Sequence, residues 1–160
     1  MQEEQRSEHQ WLEQLVGEWT SEVRCRMGPD QPELTFTWQE SVRSLRGLWI
    51  LCEGTSEMSD GSTARTVMTL GFDPRTGRFV GTYIGSMMTH LWVYDGGLDA
   101  GRTILTLDTN GPGFGTDGAM ARFQDTIELH PDGTRELRSQ YQDEKGEWHP
   151  FMQAIYRRVR

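Results

Sequence analysis

The chain has 160 residues and a formal charge of −8, with 24 acidic side chains against 16 basic ones. A chain of that length buries roughly 68% of its unfolded surface in one domain, so neither a metal nor a disulfide is required to hold it together. The acidic balance disfavours nucleic acid and anionic lipid, and no window approaches the roughly 18 apolar residues of a spanning helix; the expectation is a soluble cytoplasmic protein without either partner.

The opening Met-Gln-Glu-Glu-Gln-Arg has no apolar stretch behind it and does not read as a secretory leader. Residues 3–15 carry the one helical pattern: Trp11, Leu12, Leu15 and Val16 recur at helical spacing, with Glu3, Glu4, Glu8 and Glu13 on the wet side. Ser7 with Gln10 is a weak capping box that would start the helix there. A lone amphipathic helix ahead of strands has only an open end or a flank on which to bury its stripe.

From Gly17 the period becomes two. Trp19, Ser21, Val23, Cys25 and Met27 alternate with Thr20, Glu22, Arg24 and Arg26, the pattern of a strand with one wet face. Strands are predicted next at 34–42, 48–57 and 63–72, separated by a Gly-Pro turn at 28–32, by Gly47 and by Ser-Asp-Gly at 59–61. Asp73-Pro-Arg-Thr-Gly77 is a hairpin signal, since proline fixes one turn dihedral and glycine supplies the positive one. Strands follow at 79–84, 89–94 and 103–108, with Asp95-Gly-Gly97 read as a turn and the glycine-rich 110–118 as a long end loop. Strands at 119–129, 134–142 and 148–158 complete about ten short runs with no helical interval. Such an antiparallel meander hides its edges only by closing on itself, so the predicted fold is a single all-β antiparallel barrel over about 17–158 with a helix over about 3–15 packed on one end.

Several ordered blocks resemble a known family: Val16-Gly-Glu-Trp19 after the helix, 70–83, 86–96, and the closing Met152-Gln-Ala-Ile-Tyr-Arg157. They are similar to the bacterial domain-of-unknown-function family 1579, which has no assigned activity and itself resembles the calycin group of lipocalin-like barrels with an internal pocket. Gly17-x-Trp19 also resembles the lipocalin signature at the first strand. That resemblance implies a late arginine, Arg157 or Arg158, covering the Trp19 ring, a cation-π contact worth roughly 0.5–2 kcal/mol. Typical lipocalins are secreted with a leader and disulfides; neither is expected of this chain.

The residues that could carry chemistry cluster between 77 and 96. Phe79, Tyr83, His90, Trp92 and Tyr94 share one face if the turn near Gly85 keeps the register. His90 is either a ligand contact or a core histidine satisfied by a backbone carbonyl or by Glu40. Trp38, Tyr83 and Trp92 are candidate cavity rings, and Met88 and Met120 candidate adaptable fillers. Glu40 and Arg122 are candidate internal charges; either face of 119–129 can point inward, and an internal Arg122 would need a carboxylate or an anionic ligand. His9, His130 and His149 form no metal spacing, and Cys25 and Cys52 read as free thiols. Ser86, His90 and Asp95 make a triad by residue type only, so no catalytic residue, cofactor or metal is expected from these patterns.

The leading expectation is a barrel that binds a small hydrophobic or aromatic molecule, with His90, Trp92, Tyr83, Trp38, Met88, Met120, Arg122 and Glu40 as its contacts. Two alternatives stay open: a small enzyme using His90 in the cavity, and a structural or interaction module with a filled core. A homodimer through an outer sheet face is compatible with any of them.

Overall fold

The computed structural model describes residues 3–115 and 117–159, so the first two residues of the leaderless reading and Thr116 of the glycine-rich stretch lie outside the described residues. The change of period at Gly17 is a true boundary. Helix α1 (Ser7–Glu13) precedes it, and ten strands follow: β1 (Gly17–Cys25), β2 (Leu34–Leu45), β3 (Trp49–Glu57), β4 (Thr63–Asp73), β5 (Arg78–Gly85), β6 (Trp92–Leu98), β7 (Ile104–Pro112), β8 (Met120–Leu129), β9 (Arg135–Gln142) and β10 (Trp148–Arg158). Each strand pairs antiparallel with its sequence neighbour and β1 returns to β10, which closes the barrel and leaves no edge exposed.

Three local readings are corrected. The helix is shorter than 3–15, and its start is fixed by the backbone N–H of Arg6 donating to Nδ1 of His9 at 2.8 Å, not by Ser7 with Gln10. Strand β6 begins at Trp92 and runs through the Gly96-Gly97 pair that composition marks as a turn. Gly96 faces inward opposite Phe79, where a Cβ would sit 2.2 Å from the Thr106 carbonyl oxygen, so the glycine permits a close strand approach. Strand β7 likewise continues to Pro112, because Gly111 is the seat of the Trp92 ring: a Cβ there would fall 2.0 Å from the ring.

Helix α1 stoppers one end. Its Trp11 and Leu12 side chains, and that of Leu15 just after it, are buried. His9 Nε2 donates to the Phe72 carbonyl at 3.0 Å, and Trp11 Nε1 to the Arg102 carbonyl at 2.8 Å. Arg102 adopts a left-handed conformation (φ 58°) at that turn. Trp19 Nε1 donates to the Leu15 carbonyl at 2.9 Å. Arg158 lies over the outer side of the Trp19 ring, 4.2 Å from a centroid, and donates to the Val16 and Gln14 carbonyls. That is the arginine cover the resemblance implied.

Two halves of the interior differ in packing. Near α1 the inward side chains Ile50, Leu70, Phe79, Leu105, Leu107 and Ile127 are between 0% and 2% exposed. Farther from α1, inward-facing Trp38, Met68, Tyr83, Trp92, Asp125 and Met152 each keep accessible surface. Toward that end the packing is mixed: these side chains keep partial exposure while Cys25, Ala64, Phe123 and Ser139 near them are buried, so the interior there is looser in places than at the helix end.

Candidate functional site: the aromatic mouth

The end opposite α1 is ringed by aromatic side chains. Phe123 on β8, Tyr141 on β9 and His149 on β10 face one another in register across three strands. Trp92 on β6 meets Phe123 edge-on at 5.0 Å between ring centroids. Phe114, carried by the β7–β8 loop, sits over this layer at 5.1 Å from Tyr141, 5.0 Å from Phe151 and 6.0 Å from Phe123. The nearly perpendicular rings are the arrangement that aromatic quadrupoles favour. Tyr141 stacks on His149, whose Nε2 is 2.7 Å from an Asp143 carboxylate oxygen.

Beneath the mouth the interior is polar. One step inward from Phe123 and Tyr141 lie Asp125 and Ser139, paired across β8 and β9. Ser139 Oγ donates to Asp125 Oδ1 at 2.6 Å and Tyr94 Oη to Oδ2 at 2.5 Å. Loss of solvent raises the Asp125 carboxyl above the ordinary carboxylate range despite these two bonds. Burial with the nearby Asp125 charge pushes the Tyr83 hydroxyl up to about 12. Toward α1, buried Arg135 pairs with Glu40 and lies over two rings, 4.0 Å from the Tyr156 centroid and 4.7 Å from a Trp19 centroid. Ser21 Oγ, Thr109 Oγ1 and Arg135 Nε are buried without a protein partner.

The expected site residues separate into three groups. Trp38, Glu40, Tyr83 and Trp92 face the interior, Tyr83 and Trp92 as a cross-strand pair. His90 and Met88 precede β6 in the loop at the mouth. His90 Nε2 donates to the Asn110 carbonyl at 2.9 Å, and its ring meets Trp92 edge-on at 4.7 Å. Trp92 Nε1 in turn donates to Met88 Sδ at 2.9 Å. Met120 and Arg122 point away from the barrel: Phe123 and Ile127 take the inward positions of β8, and alternation turns their neighbours outward, leaving Met120 61% exposed. The inward charge expected of Arg122 is supplied by Arg135, whose strand reads as charged and polar except for Leu137 and Tyr141, so alternation alone did not single it out.

Two groups of potential metal donors are present among the described residues, Glu128-His130-Glu136 and Asp143-Glu147-His149. In the first, Arg138 already pairs with both carboxylates. In the second, Asp143 already accepts the backbone N–H groups of Lys145 and Glu147. Cys25 and Cys52 are buried free thiols, and burial raises the Cys52 thiol. Two open surface grooves, of about 490 and 650 Å³, run largely over the wall of β1 to β4.

A family model described as "Protein of unknown function (DUF1579)" matches residues 4–158. The chain belongs to that family. No curated protein matches it. Among solved structures, "Crystal Structure of Rv2717c from M. tuberculosis" is similar with a TM-score of 0.66 at 12% identity, covering 98% of this chain and 100% of the other. At that identity the likeness carries the barrel fold alone. No helix among the described residues of this family member is long and apolar enough to cross a membrane.

Proposed function

We propose that this barrel binds a small, largely apolar molecule bearing an aromatic ring, admitted through the mouth opposite α1. The observation that carries the reading is the set of partly exposed inward side chains on the β2–β6 wall toward the mouth. Trp38, Met68, Tyr83 and Trp92 keep accessible surface beside the aromatic layer, whereas Ile50, Leu70, Phe79, Leu105 and Leu107 nearer α1 are fully buried. Trp92, Tyr83 and Trp38 offer ring faces, and Met88 an adaptable thioether at the rim. His90 keeps Nδ1 free for a ligand once Nε2 has donated to the Asn110 carbonyl. Phe114 occupies the place a ligand ring would take, so binding exchanges one edge-on aromatic contact for another.

Titration with the uncharged fluorophore N-phenyl-1-naphthylamine tests this. A single saturable site is expected, weakened at least tenfold by Trp92→Ala and strengthened by Phe114→Ala. Absence of saturable binding, or binding indifferent to both substitutions, ends the reading.

A further inference from the structure

We propose that the interior under the mouth selects a molecule whose apolar or aromatic body carries a protonated amine, with Asp125 as the anion that receives it. This rests on the reading of the mouth as a ligand entrance and names the ligand class.

The interior holds two kinds of charge. Arg135 and Glu40 neutralise one another near α1. Asp125 has no cationic side chain against it among the described residues: its contacts are the hydroxyls of Ser139 and Tyr94, one on each oxygen. A carboxylate oxygen has two acceptor sites, so each retains capacity for a further donor. Removing an anion from water without a counter-cation is costly, and two hydroxyls offset only part of that cost. A protonated amine would supply both the missing charge and the missing N–H donors.

The surroundings suit the same ligand. Asp125 lies one inward step below Phe123, and Tyr94 one inward step below Trp92, so the carboxylate sits at the floor of the aromatic layer. Ring faces attract cations. Thr109, cross-strand partner of Phe123 and 7% exposed, has a hydroxyl with no protein partner in this same layer. Its oxygen can accept a second amine N–H. A carboxylate ligand would instead place two anions together, and a neutral one would leave Asp125 uncompensated.

Three probes of nearly equal shape separate the outcomes: 1-naphthylmethylamine, 1-naphthylmethanol and 1-naphthoate, titrated at pH 8 into the full chain by calorimetry. The amine is expected to bind at least tenfold more tightly than the alcohol and the naphthoate most weakly. Asp125→Asn should bring the amine down to the affinity of the alcohol while leaving the alcohol unchanged. Equal binding of amine and alcohol by the unaltered protein overturns the proposal and leaves the ligand-binding reading standing; this comparison needs no variant to fold. An Asp125→Asn protein that keeps the preference for the amine also overturns it. If none of the three binds, the ligand-binding reading falls together with the proposal.

Discussion

Three tryptophans show how differently the two ends of the barrel are built. At the α1 end, Trp11 and Trp19 donate their indole N–H groups to backbone carbonyls, those of Arg102 and Leu15. At the mouth, Trp92 donates to the sulfur of Met88, a side chain 38% exposed. A backbone carbonyl held in a turn or beside a helix is a fixed acceptor, whereas a thioether on an exposed, rotatable side chain is a weak one that can be exchanged. One end is therefore constructed to stay shut. The other is constructed from contacts that can be given up to a guest.

The sharpest way to break this contrast is to attack the charge pair nearest the shut end. Removing one partner of a buried ion pair typically costs about 3–5 kcal/mol because the other is left uncompensated. Arg135→Met, which strands Glu40 and uncovers the inner side of Trp19 and the ring of Tyr156, should lower the urea midpoint by an amount in that range. The double change Arg135→Met with Glu40→Leu should recover most of the loss. A single variant as stable as the parent would mean the pair is not buried as described.

The next effect compares the two packings directly. Leu105 has no accessible surface, and truncation of such a leucine to alanine costs about 2–5 kcal/mol. Met152 faces the interior toward the mouth and is only half-buried, so Met152→Ala should cost less than half as much. Equal losses in matched urea titrations would remove the distinction between a solid and a looser packing.

How much of this was legible in the sequence follows from what each pattern encodes. Period-two alternation and turn chemistry gave the ten strands, their closure and the helix that stoppers them, because each of these signals is local. The failures lie where glycine serves tertiary contact. Gly96 reads as part of a turn and Gly111 as part of an end loop, yet both sit in strands because a neighbouring carbonyl and the Trp92 ring need the room. The candidate site was half legible for the same reason. Aromatic alternation brought out Tyr83 and Trp92, but Asp125 is a lone carboxylate on an otherwise apolar face of β8, and the internal Arg135 lies on a strand whose two faces are both rich in polar residues. Which face turns inward is decided by register across the sheet, which one strand's sequence does not contain.

A smaller effect tests the interior under the mouth through pH. Burial raises the Asp125 carboxyl in the folded protein above its ordinary value, so the folded state holds that proton more tightly than the unfolded chain does. The stability this gives is fully present below the ordinary carboxylate value of about 4 and is lost as pH rises through the folded value. Relative to Asp125→Asn, the unaltered protein should therefore gain stability on going from pH 8 towards pH 4, with the variant at least as stable at pH 8. Urea midpoints at the two pH values measure it. The opposite slope would place a cation beside Asp125 and contradict the geometry on which the amine preference stands.

The smallest effect falls on the outer wall. Arg122 pairs across the sheet with Asn110 and is exposed, and Met120 beside Pro112 is more exposed still. Surface substitutions away from caps, pairs and turns usually change stability by no more than about 0.5 kcal/mol. Arg122→Ala and Met120→Ala should keep the urea midpoint within that margin. They should also leave the affinity for N-phenyl-1-naphthylamine unchanged, because neither side chain shares the face on which Trp92 and Tyr83 lie. A loss of probe binding on removing Arg122 would mean that the ligand is held on the outside of β7 and β8, and that the aromatic layer inside is packing alone.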